Sequence, residues 1–131
     1  MLNIVGDKNT CSDWLNQGTG NAYQIMSNVP IIKETADPSV GASTMAGDAK
    51  SPINVNPNGA FYNGPVAPTV GPYQPGSFGA RMTILIHELA HKVLAPGMDN
   101  RPVIENSNAN TQLVLQHCRM VIDQWSFILN K

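Results

Sequence analysis

Three residues capable of metal and acid–base chemistry lie together in one apolar stretch of the chain. Residues 84–91 read Ile-Leu-Ile-His-Glu-Leu-Ala-His, with His87 and His91 four positions apart. On an α-helix this spacing puts both imidazoles on the same face, one turn apart, where they can share a zinc ion. Glu88 lies about 100° round the helix from His87, within reach of a metal-bound water. We therefore predict a zinc site with His87 and His91 as ligands and Glu88 as general base.

The residues around this motif predict a helix with one side in the core. A lone histidine on such a helix is usually a hydrogen-bonded core residue, whereas two histidines with an intervening glutamate favour a metal site. The predicted stripe has helical spacing, with the motif on its flank: Met82, Leu85, Ile86, Leu89 and Val93.

The segment resembles the active-site helix of the zincin metallopeptidases, whose shared motif is His-Glu-x-x-His flanked by uncharged residues. Lys92 departs from that pattern, and we expect its ammonium group to extend outward to water. The resemblance implies a zinc-dependent endopeptidase in which zinc lowers the pKa of a bound water to about 7. Glu88 would then take the proton of that water and pass it to the leaving amine.

The third zinc ligand distinguishes the zincin subfamilies, and two familiar patterns are absent. A metzincin-like site has glycine and histidine where this chain has Leu94 and Gly97. A thermolysin-like site takes a glutamate from a following helix, but the only later glutamate is Glu105, in an Asn-rich stretch. These two subfamilies are therefore disfavoured.

Three other residues are candidates for the third ligand: Asp99, His117 and Asp123. Pro96 and Gly97 are expected to end the active helix, because proline disfavours helical geometry before it and glycine adopts positive φ. A reversal there brings Asp99 back towards the metal, which resembles the aspzincin arrangement of two histidines and an aspartate. Asp99 is therefore our predicted ligand, and a solvated turn aspartate is the alternative.

A looser resemblance extends over more of the chain. It is to small bacterial zincin-like domains that are often attached to large repeat-bearing surface proteins. This resemblance implies an α+β domain, with a short antiparallel sheet packed on the active-site helix and a C-terminal helix. It leaves open a catalytically silent binding module and a toxin or effector protease domain. The residues that carry it are Cys11, Trp14, Leu15, Asn56, Phe61, His87, Glu88, His91, Asn110, Thr111 and Cys118.

Length and composition limit the classes of function. The 131 residues form one domain, and a net charge of −1 with 13% charged residues offers no basic surface for nucleic acid. No stretch approaches the roughly 20 apolar residues of a membrane span, and the N-terminal sequence lacks the features of a signal peptide. We expect a monomer acting on peptide or protein substrates, either as a mature fragment or as a domain of a longer protein.

Two cysteines, Cys11 and Cys118, lie near opposite ends of the sequence. A disulfide between them would join the first helix to the last, and the alternative is a pair of free buried thiols. Because the chain is rich in Asn, Gly and Pro and poor in charge, we predict the disulfide and an extracytoplasmic or secreted location.

Capping residues and hydrophobic patterns predict the other helices and strands around the His-Glu-x-x-His motif. Helices are predicted at 12–17, 21–28 and 110–129, and strands at 42–46 and within 53–62, with a turn at 56–59. Zincins bind extended peptide along an edge strand beside the active helix, so by resemblance the substrate strand is 42–47 or 53–62.

The Pro- and Gly-rich stretch from 64 to 79 predicts an ordered loop that leads into the active helix. Zincins often place a hydrogen-bond donor near the developing oxyanion, and Tyr73 in this loop is one candidate. Tyr62 and His117 are the others, and a packing role for Tyr73 is the alternative.

Overall fold

The computed structural model describes residues 1–37, 39–63, 66–101 and 107–131. Within these ranges it contains five α-helices and a three-stranded sheet, so the α+β prediction is confirmed. No helix in the described ranges is both long and apolar enough to cross a bilayer. The elements in chain order are α1 Leu2–Gly6, α2 Thr10–Leu15, α3 Ala22–Asn28, β1 Ile31–Lys33, β2 Ala42–Ser43, β3 Ile53–Val55, α4 Phe78–Lys92 and α5 Ser107–Ile128.

The sheet has the order β1-β3-β2 and is mixed. β2 pairs with β3 antiparallel, with Ala42 opposite Val55, whereas β1 pairs with β3 in parallel, with Ile31 opposite Ile53. The prediction of an antiparallel sheet is therefore wrong for β1. This strand was missed because all three of its residues are exposed, so it has none of the alternation that marks a half-buried strand. In β3, Ile53 and Val55 are buried on one face.

Asn56 organises the turn after β3, as the Asn-Pro-Asn-Gly sequence predicts. Its side-chain amide donates to the carbonyl oxygens of Asp37 (2.8 Å) and Val40 (2.7 Å). Its Oδ1 accepts from the backbone N–H of Ala36 (3.1 Å) and of Asn58 (3.0 Å). A buried side chain with four hydrogen bonds thereby fixes the segment that leads into β2.

Helix α4, which carries the His-Glu-x-x-His motif, begins and ends with defined caps. Ser77 accepts a hydrogen bond from the N–H of Ala80 at the N-terminus. At the C-terminus, Leu94 has a φ of 52°, its N–H donates to His91, and the N–H of Ala95 donates to Ala90. This is a Schellman motif, which usually uses glycine at the position of Leu94. The helix therefore ends four residues before Pro96 (at Lys92), earlier than predicted.

The predicted disulfide between Cys11 and Cys118 is present and joins α2 to α5. It closes a loop with a sequence separation of 107 residues, worth about 4–5 kcal/mol in the chain-entropy model. On the same helix as Cys11, Trp14 stacks on the ring of His117 at 4.7 Å and donates from Nε1 to the carbonyl of Pro96. α2 therefore holds both α5 and the turn that follows α4.

Candidate metal centre

His87, Glu88 and His91 lie together on α4, as the motif predicts. His87 and Glu88 are 8% and 6% exposed, and His91 is half-buried. The two imidazole rings are 4.9 Å apart between centroids and tilted by 59°. The predicted apolar stripe of α4, which includes Leu85, Ile86 and Leu89, is buried in the core. This packing fixes the helix, and the two histidines and Glu88 lie on the flank of the stripe.

Each histidine is oriented by a neutral oxygen at its Nδ1 atom. Nδ1 of His87 lies 3.0 Å from Oγ1 of Thr111, and Nδ1 of His91 lies 2.8 Å from Oδ1 of Asn100. Asn100 directs its amide nitrogen to the carbonyl of Met98, which leaves Oδ1 to accept from His91. His91 is thus assigned an Nδ1–H tautomer, with Nε2 as the nitrogen for a metal.

The burial of His87 has a direct electrostatic effect. Desolvation, followed by the charge of neighbouring His91, lowers the pKa of His87 to about 4. The imidazole of His87 is therefore neutral at physiological pH, which is the protonation state that a metal ligand requires.

Glu88 is buried on the same helix, next to a cleft. Desolvation raises the pKa of its carboxyl to about 8, and the nearby Lys92 ammonium opposes this shift. At neutral pH a carboxyl with this pKa is mostly protonated. The general-base role that the sequence predicts for Glu88 requires the ionised form, which a cation bound beside it would favour.

Lys92 points into the protein, so the expectation that it extends to water is wrong. It is 1% exposed, and its Nζ donates to the carbonyl of Asp48 (2.8 Å) and to both the carbonyl and the Oγ of Ser51. These three oxygens satisfy the three ammonium hydrogens, which makes its burial tolerable. The N–H of Gly47 also donates to the carbonyl of His91 (3.0 Å). The β2–β3 connection is thereby fastened to the end of α4.

The turn after α4 reverses as predicted, with Gly97 at a φ of +88°, and it brings Asn100 onto His91. Asp99 beside it is held by Arg101, whose Nε and Nη2 lie 3.0 and 2.7 Å from its two oxygens. These bonds lower the pKa of Asp99 to about 2. Asn110 also binds the backbone N–H and carbonyl of Asp99, at 2.8 and 2.9 Å.

The third ligand stays a prediction. Within the described ranges, no three His, Cys, Asp or Glu side chains form a group that could hold a metal ion. His117 stacks on Trp14, and Asp123 accepts a hydrogen bond from Tyr73 at 2.6 Å. Glu105 lies outside the described residues. Asp99 stays the preferred candidate, because its neighbour in sequence, Asn100, contacts His91.

A cleft of about 110 Å³ opens beside His87 and Glu88. Gly41 and Ala42, where β2 begins, are among the residues that line it, and β2 is an edge strand in the described sheet. β3 lies at the centre of the sheet, so the 53–62 alternative for a substrate edge strand is not supported. Within the predicted 42–47 region, residues 42 and 43 form the edge strand β2, and the substrate role of this region stays a prediction.

None of the three oxyanion candidates lines this cleft. The Tyr73 hydroxyl is bound to Asp123, Tyr62 packs on Phe61, and His117 stacks on α2. Tyr73 therefore has the packing role that was its alternative. Polar side chains from elsewhere do line the cleft. Two come from loops, Ser39 and Thr69, and four come from the first turns of α5: Ser107, Asn108, Thr111 and Gln112.

Sequence reasoning also missed the two residues that orient the histidines. Thr111 belongs to the wider resemblance, but nothing in the sequence assigns its partner, and Asn100 is one of many asparagines. Both contacts depend on how distant segments meet in the fold. Comparison with known proteins adds no further assignment: no protein-family model, no curated protein and no solved structure matches this chain.

Proposed function

We propose that this protein is a small zinc-dependent endopeptidase of the zincin type. The observation that carries the proposal is the pairing of two histidines on one helix face, each oriented through Nδ1, with a buried glutamate at a cleft. Thr111 and Asn100 supply the outer-shell contacts that metal-binding histidines usually have.

The side chains present fit zinc in chemical type. His87 and His91 would bind it through Nε2, and Asp99 is the proposed third ligand once its carboxylate leaves Arg101. Zinc, when bound, lowers the pKa of a coordinated water to about 7 and polarises a carbonyl oxygen.

The residues of the chain supply the remaining chemistry. Glu88 takes a proton from the attacking water and delivers it to the nitrogen of the leaving amine. The edge strand β2 aligns an extended peptide by backbone pairing next to the cleft, where Gly41 and Ala42 lie. The burial of Glu88 and His87 restricts bulk water around the reacting groups.

The substitution Glu88→Gln tests this function, because it preserves shape while removing the base. We expect the variant to bind zinc as the wild type does and to lose cleavage of casein. The measurements are zinc content by mass spectrometry and chelator-sensitive proteolysis. Gln24→Ala, at an exposed position on α3, is a matched control for handling and purity. Cleavage retained by Glu88→Gln would contradict the role of Glu88.

One observation favours a second candidate, a zinc-binding module without peptidase activity. The carboxylate of Asp99 is engaged by Arg101, so a complete ligand set requires that ion pair to open. The same experiment separates the two candidates, since zinc without any casein cleavage by the wild type supports the binding module.

The proposed location is extracytoplasmic, as a secreted protein or as a domain of a larger surface protein. The Cys11–Cys118 disulfide supports it, because such bonds persist in oxidising compartments. A toxin or effector role for the protease would share this location. Mass spectrometry of the protein isolated from its native host would test it, through the recovery of the disulfide-linked peptides and the fraction that contains them.

A further inference from the structure

The side chain of Lys92 is buried, although no step of the proposed reaction uses it. It is 1% exposed, and its ammonium group donates to the carbonyl oxygens of Asp48 and Ser51 and to Oγ of Ser51. Replacing a buried, fully bonded charge by an apolar side chain of similar size is often neutral for stability. Packing alone therefore does not explain a lysine at this position.

Lys92 lies on the same face of α4 as Glu88 and Ile84. The three residues are spaced by four positions, so each lies one helical turn from the next. Gly41, which directly precedes β2, lies against Ile84, where an added Cβ atom would be 3.3 Å from Cδ1 of the isoleucine. The chain from Gly41 to Ser51 therefore contacts α4 one turn before Glu88 and again one turn after it.

The contact after Glu88 is reinforced by backbone and side-chain hydrogen bonds. Next to the three bonds of Lys92, the N–H of Gly47 donates to the carbonyl of His91 (3.0 Å). Oγ1 of Thr44 donates to the carbonyl of Pro52 (2.9 Å), across the connection between β2 and β3. This connection is thereby closed around the ammonium group and fastened to the end of α4.

The strand β2 has few other contacts that could fix its position. It consists of Ala42 and Ser43, and it pairs on one side with β3. In the described part of the sheet it is an edge strand, so no strand lies on its other side there. Gly41 and Ala42 line the cleft next to Glu88. A shift of β2 relative to α4 would therefore move the strand that is proposed to pair with the peptide.

We propose that Lys92 is a positioning residue for the peptide substrate. Its ammonium group holds the β2–β3 connection against α4 and so keeps the open edge of β2 beside Glu88, where a peptide paired with β2 passes the reacting groups. This role accounts for a charged residue directly after the second histidine of the motif. The inference rests on the proposed function for its effect on cleavage, whereas the effect of Lys92 on β2 can be measured in the protein alone.

The first experiment measures amide hydrogen exchange by NMR in the metal-free wild type and in Lys92→Met, which keeps a long side chain but removes the ammonium group. We expect the N–H of Gly47, which is bound to His91, to exchange about ten-fold faster in the variant, the equivalent of one hydrogen bond to a charged group. The N–H of Glu34, bound to the carbonyl of Val55 between β1 and β3, should keep its rate. Unchanged exchange at Gly47, or equal acceleration at both amides, would overturn the proposal.

The second experiment compares kcat and KM of the zinc-loaded proteins for a long, extended peptide and for a blocked dipeptide that contains only the cleaved bond. We expect Lys92→Met to raise KM for the long peptide about ten-fold and to keep kcat within about two-fold, because strand pairing binds substrate and transition state equally. The dipeptide, which is too short to pair along β2, should be cleaved equally well by both proteins. Lys50→Met is the matched control, since it makes the same change at an exposed position of the same connection.

Ser51→Ala breaks the same contact more mildly, because it removes one of the three acceptors of Lys92, and it serves if Lys92→Met does not fold. It should raise KM for the long peptide several-fold, and an unchanged KM would count against the proposal. A wild type without any cleavage would contradict the proposed function, and the exchange measurement would still decide the role of Lys92. A fall in kcat with KM unchanged, or equal losses with both peptides, would overturn the positioning role.

Discussion

Oγ1 of Thr111 lies 3.0 Å from Nδ1 of His87, across the contact between α5 and α4. The two helices make the most extensive contact between elements of the fold, and Thr111 lies seven residues before Cys118 on α5. The orientation of one candidate zinc ligand therefore depends on a second helix, which is itself fastened to α2 by the disulfide.

The substitution Thr111→Val tests the contact with His87. It keeps the shape of the side chain but removes the hydroxyl group, so the ring of His87 loses its orienting partner. We expect zinc affinity, measured by competition with a chromogenic chelator, to fall by about 10-fold or more. Thr111→Ser keeps the hydroxyl and should stay within a few-fold of the wild type. Equal affinities for the valine and serine variants would show that the contact does not tune the site.

The ion pair between Asp99 and Arg101 leads to two opposite predictions for zinc affinity. Asp99→Ala removes the proposed third ligand and should weaken zinc binding by more than the roughly 10–100-fold of an outer-shell loss. Arg101→Gln releases the carboxylate from a partly exposed pair worth about 0.2–1 kcal/mol, so affinity should rise up to about five-fold. Isothermal titration calorimetry measures both.

The outcome for these two variants decides between the interpretations of Asp99. Undiminished zinc affinity in Asp99→Ala would exclude it as a ligand and leave it as a turn residue that pairs with Arg101. Lys8→Gln breaks an exposed pair between the α1–α2 connection and Asp13 of α2, and it serves as the control for a general loss of charge.

Helix α4 shows what periodicity can predict. The spacing of Leu85, Ile86 and Leu89 indicated a buried stripe, and all three are buried, because helical geometry alone determines which side chains share a face. The end of the helix was misplaced, because Pro96 and Gly97 were the visible signals. The turn is made instead by Leu94, whose residue type gives no hint of a left-handed conformation.

The parts of the site that sequence could not predict are its long-range contacts. Asn100 meets His91 only because the turn after α4 reverses, and Thr111 meets His87 only because α5 docks on α4. Lys92 was expected at the surface because a lysine is rarely buried, but three oxygen acceptors from the β2–β3 connection surround its ammonium group. Such acceptors are backbone and serine oxygens, which leave no pattern in the sequence.

We expect Tyr73 to stabilise the fold at neutral pH and to lose this effect at high pH. Burial, followed by the hydrogen bond to Asp123, raises its pKa, while Arg119 opposes the shift. A raised pKa in the folded state gives stability that is present below about pH 10, the ordinary tyrosine value, and is lost as pH rises further. Thermal unfolding of wild type and Tyr73→Phe should show a constant difference in Tm from pH 7 to 9 and a smaller one at pH 11. A difference that stays constant to pH 11 would contradict this linkage.

The backbone conformation of Leu94, just after the end of α4, is unfavourable for a residue with a side chain. Its φ of 52° is in the left-handed region, where a Cβ atom costs about 1–2 kcal/mol, and its side chain is 40% exposed. The hydrogen bonds of the Schellman motif, from Leu94 to His91 and from Ala95 to Ala90, hold it in that conformation.

Comparing Leu94→Gly with Leu94→Ala isolates this cost, because both variants lose the leucine side chain and only the alanine keeps a Cβ atom. We expect the glycine variant to be more stable than the alanine variant by about 1 kcal/mol, or about 3–4 °C in Tm, measured by calorimetry. At a residue with negative φ the order is reversed, since glycine loses more backbone entropy on folding. Val93→Ala and Val93→Gly provide that reference at the adjacent position, whose φ is −88°. If alanine is the more stable of the two at position 94 as well, Leu94 does not have the left-handed conformation that turns the chain from His91 towards Asn100.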